Sequence, residues 1–179
     1  MAENPKVLNS RHVYAGRLFD LEVDELEFEN GVIAQRETVR HPGAVAMVAI
    51  DPEGRVLFVT QYRHAAGKRL LELPAGTLGR GEEPLAAAER ELAEEVGYKP
   101  NTVKDLGGFY VAPGYCDEYI HLFLCTDLEP ASEEADDDED IEIEALTPAE
   151  ALAKLEDGSI ADAKSIIGLM RWMHMKKGA

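Results

Sequence analysis

Three glutamates, Glu91, Glu94 and Glu95, crowd into five consecutive positions directly after Arg90. On a helix turning about 100° per residue they fall within about a third of the circumference. Like charges at that spacing repel, so the face is costly unless a cation lies against it. Carboxylate oxygens are hard donors that suit Mg²⁺, or Mn²⁺ as a substitute, in an octahedral shell that usually keeps some waters. Upstream, Gly76 allows a tight turn through which a backbone carbonyl, such as that of Ala75, can join the donors. Arg90 can pair with Glu94 one turn on and hold the cluster in place. The plainer alternative is a solvated acidic helix face.

The elements that must position these groups are legible in outline. Pro84 to Val96 reads as a helix with Leu85, Ala88, Leu92 and Val96 in one apolar stripe, and the glutamates point away from it. Pro84 suits the first turn, and Gly97 suits a left-handed C-terminal cap. Ala44–Ile50 is an unbroken apolar run, as expected of a central strand buried on both faces. Arg55–Arg63 and Leu70–Leu73 read as further strands, with a looser segment from His64 to Arg69. Val103–Val111 and Tyr119–Cys125 follow, separated by a loop around Ala112-Pro113-Gly114. Ile141–Leu146 is a short alternating strand. Thr147-Pro148-Ala149-Glu150 is a capping box with proline at the first helical position. A last helix from about Asp162 to Lys177 has Ile166, Ile167, Leu169, Met170, Trp172 and Met173 as its apolar face.

Ahead of these lies a thin meander. Residues 1–10 read as a tail. Leu18–Phe28 alternates with a slip between Val23 and Leu26, which predicts a bulge in that strand. Asn30-Gly31 predicts a hairpin, with Val32–Val39 returning. About forty residues of meander are too thin to bury both faces. They must pack on the main domain or on a second subunit. The expected division is therefore an N-terminal β meander over 1–41 and the main domain over 42–179. The fold class is α+β, a mixed β-sheet flanked by helices with an N-terminal antiparallel meander.

Composition narrows the partners. The 179 residues carry a net charge of −17, which opposes polyanions, so nucleic acid is not expected. Eleven of the acidic residues fall between Asp127 and Glu144 with no basic residue among them. No run approaches the roughly 18 apolar residues of a membrane span, and the N-terminus lacks a secretory pattern. Cys116 and Cys125 fit no metal or redox spacing and read as reduced thiols in a cytoplasmic protein. There is no GxSxG, and the five histidines show no metal-ligand spacing; His121 alternates within a strand and reads as structural.

The pattern G-x5-E-x7-R-E-U-x-E-E-x-G-U, with U aliphatic or aromatic, is met at Gly76, Glu82, Arg90, Glu91, Leu92, Glu94, Glu95, Gly97 and Tyr98. On these nine positions the chain resembles the Nudix hydrolases; Tyr98 stands where aliphatic residues are commoner. The resemblance implies an α/β/α layered fold and hydrolysis of a nucleoside diphosphate derivative with help from divalent metal. It implies Glu91 and Glu95 as principal metal ligands, Glu94 assisting, the Ala75 carbonyl completing the site, and Glu82 supporting the loop.

Features outside that box resemble the ADP-ribose pyrophosphatase branch. Pro113 lies 16 residues beyond Gly97, a position where that branch carries a proline. Arg36 and Arg63 match arginines that grip substrate there, with Arg40 a weaker candidate; guanidinium suits phosphate through paired donors. Arg63 could instead cap its strand by pairing with the acidic loop. The resemblance implies a glutamate from that loop as catalytic base, first Glu139 and then Asp137. It implies a homodimer through the N-terminal strands, with an aromatic such as Phe19 or Tyr14 against the adenine and Glu118 at metal or ribose. The expected activity is cleavage of ADP-ribose to AMP and ribose 5-phosphate. The alternatives are another nucleoside diphosphate sugar such as GDP-mannose, or a non-catalytic ADP-ribose sensor.

Overall fold

The computed structural model describes residues 4–131 and 141–177. Among them run strands β1 (Lys6–Ala15), β2 (Asp20–Glu27), β3 (Ile33–Arg40), β4 (Ala44–Ile50), β5 (Val56–Arg63), β6 (Lys68–Glu72) and β7 (Ala75–Thr77), then helix α1 (Pro84–Val96). Strands β8 (Tyr98–Tyr110), β9 (Tyr119–Pro130) and β10 (Glu142–Leu146) follow, and helices α2 (Pro148–Glu156) and α3 (Ala163–Lys177) end the chain. They form two compact units. The first holds the residues up to Gly43 together with Tyr110–Tyr119; the second holds Ala44–Phe109 and the residues from Ile120 onward.

The first unit is an antiparallel sheet in the order β1-β2-β3. The hairpin forms at Asn30-Gly31: Gly31 has φ 78°, and the Val32 N–H donates to Asn30 Oδ1 at 3.1 Å. Two expectations need correcting. Residues 6–10 are strand, not tail. The β2–β3 register runs unbroken from Asp20↔Arg40 to Glu27↔Ile33, so the bulge is not in β2. The irregularities lie in β1, between Val7 and Asn9 and between His12 and Tyr14. The slip in β2's apolar pattern has a different cause. Asp24 is the buried position of that strand, and its charge is met by Arg40 at 3.5 Å. The Tyr110–Tyr119 segment ties to β3 through Val39 N–H to Tyr115 O at 2.8 Å and Asp117 N–H to Val39 O at 3.1 Å.

The second unit is a mixed sheet in the order β10-β5-β4-β9-β8, with β6 on β5 and β7 on β4. Strand β4 is buried on both faces, as its apolar run predicts. Ala44, Ala46 and Val48 enter one core with Phe58, Leu73, Leu169 and Trp172. Val45, Met47 and Ala49 enter another with Ala88 and Leu92. Alternate residues of a strand point to opposite faces, so α1 covers one side and α3 the other. That is the layered α/β/α arrangement. One edge of β4 is shared. Its end, Ala49–Ile50, pairs with Leu57–Val56 of β5, whereas its start, Ala44–Ala46, pairs with Thr77–Ala75 of β7. Residues 75–77 are thereby held in register inside the sheet.

Helix ends follow their local chemistry. Pro84 opens α1, and Gly97 caps it at φ 71°. In α2, Thr147 and Glu150 form the reciprocal capping box. The buried faces differ from expectation in two places. Leu85 is 47% exposed, and the buried stripe of α1 begins instead at Ala87 and Ala88. In α3, Ile166 and Met170 face outward, while Ser165, Gly168, Leu169 and Trp172 are buried. Two small residues set that choice. A Cβ on Gly168 would lie 2.6 Å from Leu73 Cδ1 and 3.3 Å from both Leu122 and Val48, so glycine lets the helix backbone approach the sheet. Both cysteines are free, and burial pushes the Cys125 thiol up to about 12, which keeps it neutral.

Gly168→Ala forces a methyl group into that contact. The expected cost is about 1–3 kcal/mol of stability, read as a lower urea midpoint with an unchanged slope.

Candidate active site

The chemistry-bearing stretch lies within the second unit, built from β7, the following loop and α1. Helix periodicity puts Glu91, Glu94 and Glu95 on neighbouring positions, but they end in different environments. Glu95 is buried, at 6% exposure, and its Oε2 accepts the Ala75 N–H at 2.9 Å. It does not lie with its neighbours on a solvent-facing side, as the helical wheel implies. Glu91 lies directly on the backbone of Gly76: a Cβ there would fall 1.8 Å from the Glu91 carboxyl carbon. No side chain fits at residue 76 while Glu91 keeps this position. Glycine is required here for space.

Arg90 is the hub of the outer part. Its Nη1 donates to Glu91 Oε1 and to Glu94 Oε2, both at 2.8 Å. Its Nε and Nη2 grip Glu82 at 2.9 and 3.0 Å. Glu82 Oε2 also accepts the Gly79 N–H at 2.7 Å, so one glutamate ties the loop to the helix. These bonds to Arg90 and Gly79 lower the Glu82 carboxyl below its ordinary value, and the bonds to Glu82 raise the guanidinium of Arg90. One cation thus bridges three carboxylates. The expected Arg90–Glu94 pair is present, joined by two partners that spacing alone does not reveal.

Among the described residues, no three acidic, histidine or cysteine side chains converge as metal ligands. What fits a hard divalent cation is the donor chemistry. Two carboxylates, Glu91 and Glu95, lie against the backbone of strand β7 at Ala75–Gly76, with Glu94 adjacent on the helix.

Arg63 is also in this unit, at the end of β5. It does not pair with the acidic loop among the described residues; its Nε and Nη2 bind Glu72 at 3.1 and 2.7 Å. Glu72 is buried and takes a second cation, Lys164, at 2.7 Å. Sequence reading missed this pair. A charged residue inside the run Leu70-Leu71-Glu72-Leu73 was the available signal for Glu72; Lys164, 92 positions away, had none.

The remaining candidates lie in the first unit. Arg36, Arg40 and Pro113 line one cavity of about 500 Å³ with Asp24, Tyr110 and Tyr115. Arg36 stacks over Phe28 at 5.5 Å. Arg40 is committed to Glu22 and Asp117 at 2.7 and 3.2 Å. Glu118 stands 3.8 Å from His41. Phe19 packs on Tyr14 with ring centroids 5.8 Å apart. Glu139 and Asp137 lie outside the described residues.

The NUDIX domain model matches residues 40–167. The chain belongs to the Nudix family. Within it, the chain is 37% identical to the ADP-ribose pyrophosphatase of Bacillus subtilis strain 168, over 96% of this chain and 94% of that one. It is 40% identical to the ADP-ribose pyrophosphatase of Mycobacterium tuberculosis strain H37Rv, over 95% and 84%. A crystal structure titled as an ADP compounds hydrolase superposes with a TM-score of 0.88 at 29% identity, covering 99% of this chain and 97% of that one.

Two outcomes follow for this Nudix protein. Gly76→Ala displaces the Glu91 carboxylate and is expected to lower metal-dependent turnover at least about a hundredfold, measured beside a melting curve that shows a folded protein. Glu82 is lowered in the fold, so its contribution is present above its ordinary carboxylate value and disappears as pH falls through the depressed one. Glu82→Gln should therefore be less stable than wild type at neutral pH and converge with it as pH falls through the depressed Glu82 value, in melts taken from neutral to acid pH.

Proposed function

We propose that this protein is a divalent-metal-dependent hydrolase of ADP-ribose that releases AMP and ribose 5-phosphate. The observation that carries the reading is the Gly76 cradle: a stretch of strand backbone that admits only glycine at residue 76, with Glu91 against it and Glu95 bound to the Ala75 N–H. The names of the two bacterial relatives and of the structural neighbour favour ADP-ribose over other nucleoside diphosphate sugars.

Glu91, Glu95 and the Ala75 carbonyl would hold the cation, with Glu94 assisting. Mg²⁺ is the proposed metal, and Mn²⁺ its substitute. When bound, such a cation neutralises the diphosphate and activates water. The rest falls to the chain. Arg90 holds Glu91 and Glu94 in place while Glu82 anchors Arg90 to the loop. Arg63 offers a guanidinium to phosphoryl oxygens. Glu139, with Asp137 the second choice, is proposed as the general base; a carboxylate is competent in that role when neighbouring negative charge raises its proton affinity.

Arg36, Pro113, Glu118 and Phe19 are proposed as substrate-binding residues of the N-terminal unit. Residues 1–41 are proposed as a dimerisation and base-binding element, and residues 42–179 as the hydrolase domain. The meander exposes Val7, Leu8, Val13, Tyr14, Val32 and Ile33, an apolar set that a second copy would cover. No described helix is long and apolar enough to cross a membrane, and a cytoplasmic location is proposed.

Hydrolysis of ADP-ribose, GDP-mannose and NADH with and without Mg²⁺ tests the assignment. The expected result is the highest kcat/KM for ADP-ribose, with AMP and ribose 5-phosphate in equal amounts; preference for GDP-mannose would replace it. Glu95→Gln retains an acceptor for the Ala75 N–H but loses the charge. Its kcat is expected to fall about a thousandfold with the melting temperature little changed. Wild-type turnover in that variant would remove Glu95 from the site.

A further inference from the structure

Helix α3 carries none of the family motif, yet its first turn reaches Glu72 and Leu73, just ahead of the segment that does. Asp162 caps the helix: Oδ1 accepts the Ser165 N–H at 3.1 Å. The same oxygen accepts from Lys164 Nζ at 3.0 Å. Ser165 is fully buried, and its Oγ accepts the Leu73 N–H at 2.7 Å. Lys164 Nζ donates to Glu72 Oε2 at 2.7 Å. Two consecutive residues of α3 thus bind Glu72, the last residue of β6, and Leu73, which leads on toward Ala75 and Gly76. The close seating of Gly168 on Leu73 keeps that helix from shifting.

Glu72 is the pivot. Its side chain is 3% exposed and stands between two cations, Lys164 and Arg63. Burial opposes its charge, but the bonds from Arg63 and Lys164 outweigh it, and the carboxyl is lowered overall. It is an anion at neutral pH. Arg63, by contrast, keeps 40% of its side chain exposed and spends Nε and Nη2 on Glu72. The Nη1 amino group takes no part in those bonds. A guanidinium held along one edge presents the other in a fixed direction.

Lys164 therefore does more than balance charge. A lone Arg63–Glu72 pair would leave the carboxylate able to rotate, and Arg63 with it. Lys164 is anchored at a rigid helix start and pins one oxygen of Glu72.

We propose that Lys164 is a positioning residue for the hydrolytic site: through Glu72 it fixes the guanidinium of Arg63 to receive a phosphoryl oxygen of the nucleoside diphosphate. The inference rests on the hydrolase reading above and adds a residue from α3 to it. Lys164 itself touches no substrate.

The test is a double-mutant cycle read by binding. The probe is an ADP-ribose analogue with a methylene bridge in place of the anhydride oxygen, titrated calorimetrically in Mg²⁺ so that no turnover intervenes. Lys164→Met keeps most of the apolar stem and is expected to weaken binding about tenfold, and Arg63→Ala at least as much, with the double variant within about twofold of Arg63→Ala alone. Lys164→Arg should stay within about threefold of wild type, because it retains a donor to Glu72. In turnover of ADP-ribose, the Lys164→Met loss should fall on KM more than on kcat, a split that partial unfolding does not produce. If Lys164→Met fails to fold, Glu72→Gln enters the cycle in its place with the same expected non-additivity. Binding within twofold of wild type in Lys164→Met, or losses that multiply in the double variant, overturn the proposal while leaving the hydrolase reading intact. Wild-type protein that neither binds the analogue nor hydrolyses ADP-ribose overturns both.

Discussion

The Glu91 carboxylate occupies the space where a side chain on residue 76 would begin, and the architecture of the second unit serves that contact. Keeping a charged group against bare backbone requires that backbone to be immobile. Strand β7 achieves this by pairing Ala75 and Gly76 with Ala46 and Val45 of the fully buried central strand. Strand β5 pairs with that same edge only at Ala49 and Ile50, which leaves the rest open for β7. Helix α1 is then placed by its own core residues, Ala88 and Leu92 among them. Glycine at 76, a shared sheet edge and an amphipathic helix answer one steric demand.

Charge is the second constraint. The chain carries −17, and its acidic helix face would repel itself without local compensation. Arg90 supplies it on the outer side by bridging Glu82, Glu91 and Glu94. On the inner side Glu72 is buried, and a buried anion persists only when it is paired and hydrogen-bonded; Arg63 and Lys164 provide both. A few well-placed cations let a strongly acidic protein present a site suited to a diphosphate once metal is present.

Much of the fold was legible where one element decides its own form. The Asn30-Gly31 hairpin, the Thr147–Glu150 capping box, Pro84 and Gly97 at the ends of α1, and the doubly buried β4 all follow from local chemistry. The misreadings share a cause. Leu85, Ile166 and Met170 have the composition of core residues but are exposed, while Ser165 and Gly168 are buried. Hydrophobicity ranks what prefers to be buried; close approach of a helix to a sheet selects what is small enough to be buried. Likewise the slip in β2 reflected a buried Asp24 paired with Arg40, which a pattern of apolar residues registers only as an irregularity.

The sequence by itself determined the family and the chemistry, because the glutamates, arginine and glycines of the motif act over one or two helical turns, and helical periodicity converts their spacing into position. It did not determine that Glu95 would be buried on the Ala75 N–H, that Glu91 would sit on Gly76, or that Arg63 would be held by Glu72 and Lys164. Those contacts join residues 9 to 92 positions apart. They exist because two layers of helix pack on opposite faces of one sheet, and no local preference encodes which side chains that packing brings within bonding distance.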